Sequence, residues 1–534
     1  MSDDPRSFWA WGLTERLPDA AARRALARRV GAALGVGDLP DIPPPDIDAV
    51  SLRPPRVRAP ASLAGFVTDA REDRLRHTYG RGWRDILRAL QGDFSPAPDL
   101  VAYPRDEAEV SAAMAWCAEA GAALVPWGGG TSVVGGVEAE VSPRWAGALA
   151  LDLRRMARVH DVDVANLTSR IGAGATGPAI DAALARSGHT LRHYPQSYEF
   201  STLGGWIATR AGGHFATGYT RIDDRVQSVR VVSPSGAWET PAVPSSGAGP
   251  DPKRLALGSE GALGVITEAV VRVLPRPRWR RSASARFDAM EQAVSAARAV
   301  AQSGLLPSNC RVLDPTEAFI NRVDDAAGGA ALLLGFESAD HDPESAMARA
   351  LEIALAHGGE CPRGVLARDD AGDDGSAAAQ WRRAFLDGPY LQSALALVGV
   401  MADTFETCCA WSAFEALHRD VVSAVSEALA EHCGGGVVSC RFTHVYPDGP
   451  APYYSFIGRY EPSRALAQWA AVKRAASDAL RAHGATITHH HAVGRTHRPW
   501  YDGERPALFA DALRAVKRTL DPAGVMNPGV LLRE

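Results

Sequence analysis

The chain has 534 residues, 46% of them hydrophobic and 22% charged, a soluble globular composition too long for one ordinary core, so two or three domains are expected. Its 57 lysines and arginines against 62 aspartates and glutamates leave a formal net charge of −5, which excludes the broad cationic field that would hold a nucleic acid. Seven cysteines without a CxxC pair argue against a disulfide framework and a cysteine zinc site.

The opening MSDDPRSFWAWG lacks the basic and apolar regions of a secretory signal, and the closing LLRE is not a peroxisomal address. No apolar run approaches the roughly 18 residues of a membrane span, so a cytoplasmic protein is expected. Residues 12–35 carry apolar positions at helical spacing, and the proline-rich DLPDIPPPDIDAVSLRPPRVRAP after them reads as extended. Together, 1–93 form an N-terminal helical and extended segment. From 94 to 276, short β-like runs (ALVPW, ALALDL, TSRIGAG, VQSVRVVSP, GVITEAVVRVL) alternate with glycine-rich turns and predict an α+β domain.

The basic, unpatterned PRPRWRRSASA, 275–285, is read as a boundary. A second α+β unit, 277–483, alternates helices (FDAMEQAVSAARAVAQSG, PESAMARALEIALAHGG, WSAFEALHRDVVSAVSEALAEHCGG) with strands (AALLLGF, GVVSCRFTHVY, PYYSFIGRY). Within it DDAGDDGSAAA, near 369–379, reads as an exposed loop. The C-terminal segment, 484–534, is expected to hold a short strand and a last helix and to pack on the first domain.

Three loops dense in small residues stand out in the first domain. PWGGGTS comprises Pro126, Trp127, Gly128, Gly129, Gly130, Thr131 and Ser132. Its successive glycines can turn several amides onto one anion, with two hydroxyls adding donors. A plain tight turn would explain one such loop. QSYEFSTLGGWIATRAGG, from Gln196, and GSEGALGVITEA, from Gly258, repeat the pattern and point to a large, elongated cofactor. GAGATG, from Gly172, matches GxGxxG, but Pro178 follows and no strand ending in an acid comes after, so the dinucleotide fingerprint is set aside.

These three loops resemble the FAD-binding domain of the vanillyl-alcohol oxidase/p-cresol methylhydroxylase flavoproteins. Within that superfamily WAWG, EFSTLGGWIATRA, FETCCAW, CRFTHVYPDG, THHHAVG and DPAGVMNPGVLL resemble the alkyldihydroxyacetonephosphate synthase (alkylglycerone-phosphate synthase) family in order and approximate spacing. The resemblance implies a p-cresol-methylhydroxylase-type FAD-binding domain of two α+β subdomains. It adds an α/β cap, or substrate, domain with an antiparallel sheet, and helical N- and C-terminal segments.

It places the cofactor against Pro126 to Ser132 and against Gln196, Ser197, Tyr198, Glu199, Phe200, Ser201 and Thr202. Ala208, Thr209, Arg210 and Ala211 would complete the site with Glu260, Gly261, Ala262, Leu263, Gly264, Val265 and Ile266. The glycine loop has no histidine where some relatives attach FAD covalently, so noncovalent FAD is expected.

For catalysis the resemblance points to THHHAVG, with His489, His490 and His491, whose imidazoles suit proton transfer near neutral pH. On an extended strand His489 and His491 would share one face and His490 the other, so a common metal site is not expected. The resemblance assigns proton transfer to Tyr453, with Tyr454 as the neighbouring alternative, substrate binding to Arg441, and a required arginine to Arg311. Tyr453 follows Arg441 by twelve residues, a separation that a hairpin can close.

The implied reaction exchanges the acyl chain of acyl-dihydroxyacetone phosphate (acyl-DHAP) for a long-chain fatty alcohol, an ether-lipid step without net redox. A base removes a proton beside the ketone while oxidised flavin serves as electron sink. A homodimer and peripheral membrane contact are implied by analogy. The alternatives are an FAD-dependent D-2-hydroxyacid dehydrogenase or oxidase, disfavoured because THVYPDGPAPYY and THHHAVG lack GDGN and the GEHG glutamate, and an inactive flavin-binding scaffold. Ala492 replaces a glycine of the eukaryotic enzymes, so the substrate is less firmly implied than the reaction class.

Overall fold

The computed structural model describes residues 5–35, 37, 39–140, 142–219, 221–320, 323, 329–368 and 377–533. A helix, Glu107–Ala120, opens with the Asp106 carboxylate accepting from the Glu109 amide and stops at Gly121, at a left-handed φ of 61°. The strand that follows, Ala122–Trp127, pairs in parallel with Gly147–Asp152, itself parallel to Leu100–Ala102, and Val67–Thr68 closes that sheet antiparallel. Nearly continuous apolar sequence suits these strands, as in parallel sheets covered on both faces. A second, antiparallel sheet has the order Thr168–Gly172, Val265–Arg272, Val226–Ser233, Gly236–Glu239. Both sheets share one hydrophobic core.

The third sheet is antiparallel and seven-stranded, in the order Leu366–Arg368, Trp279–Phe287, Ala330–Ser338, Asn309–Leu313, Gly436–Val445, Pro450–Arg459, Val400–Glu406. Its strands alternate, so Cys440, Phe442, Tyr454 and Phe456 enter cores built with helices Met290–Gln302, Glu344–Ala356, Trp411–Cys433 and Ala465–Ala482. The odd-numbered residues Ser439, Arg441, Thr443, Tyr453 and Ser455 face the other way, into a cavity.

Three expectations are corrected. PRPRWRRSASA is not unpatterned from residue 279 onward: Trp279–Phe287 is a strand whose Ala283, Ala285 and Phe287 are buried. Its arginines hid this alternation; Arg281 pairs with Asp342, and Arg280 lies 3.7 Å from Glu337. After Gly484 no strand forms among the described residues, and two helices, Arg498–Glu504 and Ala507–Leu520, take its place. Of the stretch read as an exposed loop near 369–379, residues 369–376 lie outside the described residues, and 377–379 open a helix, Ala377–Ala396. The C-terminal segment returns to the first domain, where Leu124 donates to the Val525 carbonyl and accepts from the Asn527 amide, both at 2.8 Å.

Candidate active site

The glycine-rich loop leaves the end of strand Ala122–Trp127. A Cβ on Gly129 would lie 2.0 Å from the Phe200 carbonyl oxygen, and one on Gly128 would lie 2.4 Å from Thr202 Oγ1. Only glycine therefore lets this loop lie against the Gln196–Thr202 loop, and Gly130 turns the chain at φ +68°. Among the described residues the amides of Gly129, Gly130 and Thr131 donate to no protein acceptor. They border a cavity of about 480 Å³, and amides left over in such a turn make an anion cradle. A diphosphate-bearing cofactor fits this wall.

Of the residues expected at the cofactor, Gly128 to Ser132, Gln196, Ser197, Ser201, Thr202, Thr209 and Ala211 line the cavity. Pro126, Trp127, Tyr198, Glu199, Phe200, Ala208 and Arg210 do not, nor does any of Glu260 to Ile266. Several of these brace the loops from behind. Pro126 lies under Gly261, Tyr198 packs on Gly177, and Arg210 Nε donates to Asp223 at 2.7 Å. The Glu260 carboxylate accepts from the Val493 and Gly494 amides at 2.9 and 2.8 Å, tying the histidine loop to the glycine-rich wall. Burial pushes that carboxyl up to about 7, with the two amides opposing.

The opposite wall is the open face of the seven-stranded sheet. Arg441 and Tyr453 are direct cross-strand partners, and the guanidinium lies 4.0 Å over the phenol ring, a cation–π contact. Tyr453, 4% exposed, donates to Thr404 Oγ1 at 2.9 Å. Its neighbour Tyr454 points into the helix-covered core, stacked on Phe405. The period of two thus places Tyr453 in the cavity and Tyr454 outside it. Burial raises the Tyr453 phenol, with Arg441 opposing, so it is protonated at rest.

Arg311 is 1% exposed, donates to Asn309 Oδ1 at 2.8 Å and to the His214 carbonyl at 3.0 Å, and lines the same cavity. Burial and the neighbouring Arg441 pull it down to about 9, still cationic at neutral pH. Arg441 Nη1 donates to both Glu317 oxygens at 3.2 Å, and the hydroxyls of Ser439 and Ser455 donate to the same carboxylate.

The histidine triplet is a turn wrapped around Glu406, which overturns the strand alternation expected for it. Amides 489 to 491 and the Thr488 hydroxyl all donate to that carboxylate. His490 and His491 line the cavity, while His489 stands behind them with Nδ1 3.0 Å from His490 Nδ1 and Nε2 2.8 Å from the Tyr446 hydroxyl. His444 joins the group, 5.1 Å from His489 between ring centroids, its own nitrogens meeting Thr443 and the Gly213 carbonyl. The His490 ring stacks on Tyr453 and the His491 ring meets it edge-on. Burial keeps these imidazoles neutral at rest, His490 down at about 3. Burial opposes charge on Glu406 too, yet its carboxyl is held well below the ordinary value, as a carboxylate that accepts four hydrogen bonds should be.

Residue patterns missed Glu406, Glu317, His444 and Lys473, and also Trp11, Arg81 and the 385–395 helix segment, all but Glu406 lining the cavity. FETCCAW contains Glu406 and WAWG contains Trp11, so the motifs were visible without their contacts. Nothing local marks Glu317, whose partner Arg441 is 124 residues away.

Comparison with known proteins agrees with this geometry. The family described as FAD binding domain matches residues 98–240, and FAD linked oxidases, C-terminal domain, matches 276–531. The alkyldihydroxyacetonephosphate synthase of Dictyostelium discoideum is 30% identical over 489 residues, covering 88% of this chain and 79% of its own length. The Trypanosoma brucei brucei enzyme of that name is also 30% identical, with 86% and 77% covered. A solved alkyldihydroxyacetonephosphate synthase superposes with a TM-score of 0.80 at 24% identity, covering 98% of both chains. p-Cresol methylhydroxylase superposes at 0.65 and 13% identity, covering 87% and 93%. The chain is an FAD-binding enzyme that belongs to the alkyldihydroxyacetonephosphate synthase family.

Proposed function

We propose that the protein exchanges the acyl group of acyl-DHAP for a long-chain fatty alcohol, releasing a fatty acid and forming the ether-linked product. The observation that carries this reading is the single cavity joining the amide cradle of Gly129 to Thr131 to Arg311, Arg441, Tyr453, His490 and His491. The Gly128–Ser132 and Gln196–Thr202 loops would hold FAD noncovalently, and the bound flavin would supply an electron sink. Arg311 and Arg441 bind the phosphate and offset negative charge as it develops.

The proton beside the ketone passes to the Tyr453–histidine pair. Tyr453 is protonated at rest, so the neutral imidazoles of His490, stacked on the phenol, and His491, edge-on to it, have the capacity to take up a proton, with the phenol as relay. The carbon–oxygen bond to the carboxylate breaks, a carbon–oxygen bond to the alcohol forms, and the alcohol's proton balances the carboxylate released. No electrons leave. Apolar side chains exposed at or beside the mouth, Phe319 at 80%, Ile320 and Leu391, favour peripheral contact of a cytoplasmic protein with a lipid surface that delivers both substrates. We extend the reading to a homodimer, which light scattering measures directly.

The test runs two assays on the purified yellow protein: palmitoyl-DHAP with hexadecanol, and D-lactate with an artificial electron acceptor. Ether product from the first supports the proposal; acceptor reduction with no ether product replaces it with a dehydrogenase. Denaturation should release the flavin, and flavin left on the chain would contradict noncovalent binding.

A further inference from the structure

Glu406 ends strand Val400–Glu406 directly opposite Tyr453, which is itself opposite Arg441, so the three form one row across three strands on the cavity side of the sheet. The row closes on the C-terminal segment. Thr488 Oγ1 reaches Glu406 Oε1 at 2.5 Å, and the amides of His490 and His491 reach the same oxygen at 3.1 and 2.9 Å. The His489 amide reaches Oε2 at 2.6 Å. A carboxylate given four donors keeps its charge even at 1% exposure. Glu406 does not line the cavity, so it acts on the reaction through other groups.

Those groups are His490 and His491. Their Nδ1 atoms stand 3.5 and 3.7 Å from the carboxylate oxygens. In a cavity whose burial expels positive charge, an imidazole that accepts a proton needs an anion close by. Of the other charged groups acting on the pair, Arg221, Arg441 and Lys473 oppose a proton there and Asp403 favours one on His491. Glu406 is the largest favourable influence on both rings.

We propose that Glu406 is the positioning residue of the histidine cluster: its carboxylate templates the 488–491 turn, orients the two rings against Tyr453, and lets them carry a proton transiently during turnover. This rests on the proton-transfer roles assigned above, and nothing in the reaction requires Glu406 to touch substrate.

The experiment compares Glu406→Gln and Glu406→Asp with wild type as FAD-loaded enzymes, by kinetics and by nitrogen NMR of 15N-histidine-labelled protein, with His490 and His491 assigned by single replacement. The Gln variant should lose about 100-fold or more in kcat, as for loss of acid–base assistance, with KM changed by less than about threefold. The acid limb of its kcat/KM profile should move to lower pH. The Asp variant should recover about a tenth of the activity or more, because it keeps the charge. The His490 and His491 resonances should shift in the Gln variant and stay near wild type in the Asp variant.

A Gln variant within about threefold of wild type, or equal losses in both variants with unmoved imidazole signals, would overturn the proposal and leave Glu406 a structural brace. If the Gln variant does not hold FAD, Thr488→Val, which removes one donor to Glu406, decides by the same signals: shifted signals there, with the Asp variant near wild type, support the proposal, and unmoved signals in Thr488→Val overturn it. If wild type shows no alkyl transfer, the proposed reaction fails, while the imidazole signals still report on Glu406.

Discussion

The two walls of the cavity hold charge away from water with opposite materials. On the glycine-rich wall the donors are backbone amides, aimed by tight turns and by the absence of side chains. On the sheet wall they are guanidinium, phenol and imidazole groups, and two buried carboxylates fix part of it: Glu317 under Arg441 and Glu406 under the histidines. The amide wall is rigid and cannot titrate, which suits a permanently bound cofactor. The side-chain wall can gain and lose a proton, which suits a reaction.

The contrast breaks most sharply at Gly129. Gly129→Ala forces a Cβ to within 2.0 Å of the Phe200 carbonyl, so the two loops must separate. Overpacking of this kind costs about 1–3 kcal/mol or more, and here it falls on the cradle itself. Flavin content by absorbance should drop to a small fraction of wild type. Full flavin occupancy would show that the cradle is not where the cofactor is held.

Tyr453→Phe should do the reverse. It keeps the yellow colour and the melting temperature within a few degrees, while kcat falls by about 10² to 10⁴. Glu317→Gln, by removing the anion paired with a buried Arg441, should cost about 3 kcal/mol in thermal unfolding and raise KM for the phosphorylated substrate by about tenfold. An unchanged KM would detach Arg441 from phosphate binding.

The buried imidazoles also predict a pH trend. His490, His497 and His193 have folded values of about 3, below the unfolded value near 6.5. The unfolded chain therefore binds protons that the folded chain refuses, and stability present above about pH 6.5 is lost as the pH falls, by up to about 1.4 kcal/mol per histidine per unit. Glu260 and Glu138, raised to about 7, Asp314, raised to about 6, and Asp85, also raised, work the other way, but they are outnumbered by seven lowered histidines, these three with His418, His444, His489 and His491. Thermal melts should drop between pH 7 and pH 5; a flat profile would mean that the histidines are not buried as described. The smallest effect is expected at Tyr454, whose hydroxyl lies 3.3 Å from His418 Nδ1. Tyr454→Phe should cost about 1 kcal/mol and leave kcat unchanged.

The same division decides what could be read without coordinates. The amide wall is encoded locally: three glycines in a row after an apolar strand announce their own geometry, and the loops from Gln196 and Gly258 carry the same density of small residues, although Glu260 to Ile266 of the latter do not line the cavity. The hairpin that brings Arg441 to Tyr453 is also short enough to infer. The carboxylates are not, because Glu406 meets the histidine loop 82 to 85 residues later, and such a contact has no period or motif of its own. The residue types of the histidine triplet allow a strand; the anion it encloses makes it a turn. Strand Trp279–Phe287 was hidden for a related reason, since arginines whose partners lie on or just beyond the neighbouring strand look like a solvated linker until those partners are known.

The central claim, that the side-chain wall moves protons for an exchange in which no electrons leave, is tested most directly by stoichiometry without oxygen or any electron acceptor. The account predicts one fatty acid released for each ether bond formed, over many turnovers, in a sealed reaction of protein, acyl-DHAP and fatty alcohol. Turnover that stops after one equivalent per flavin and resumes only when an acceptor is added would contradict it.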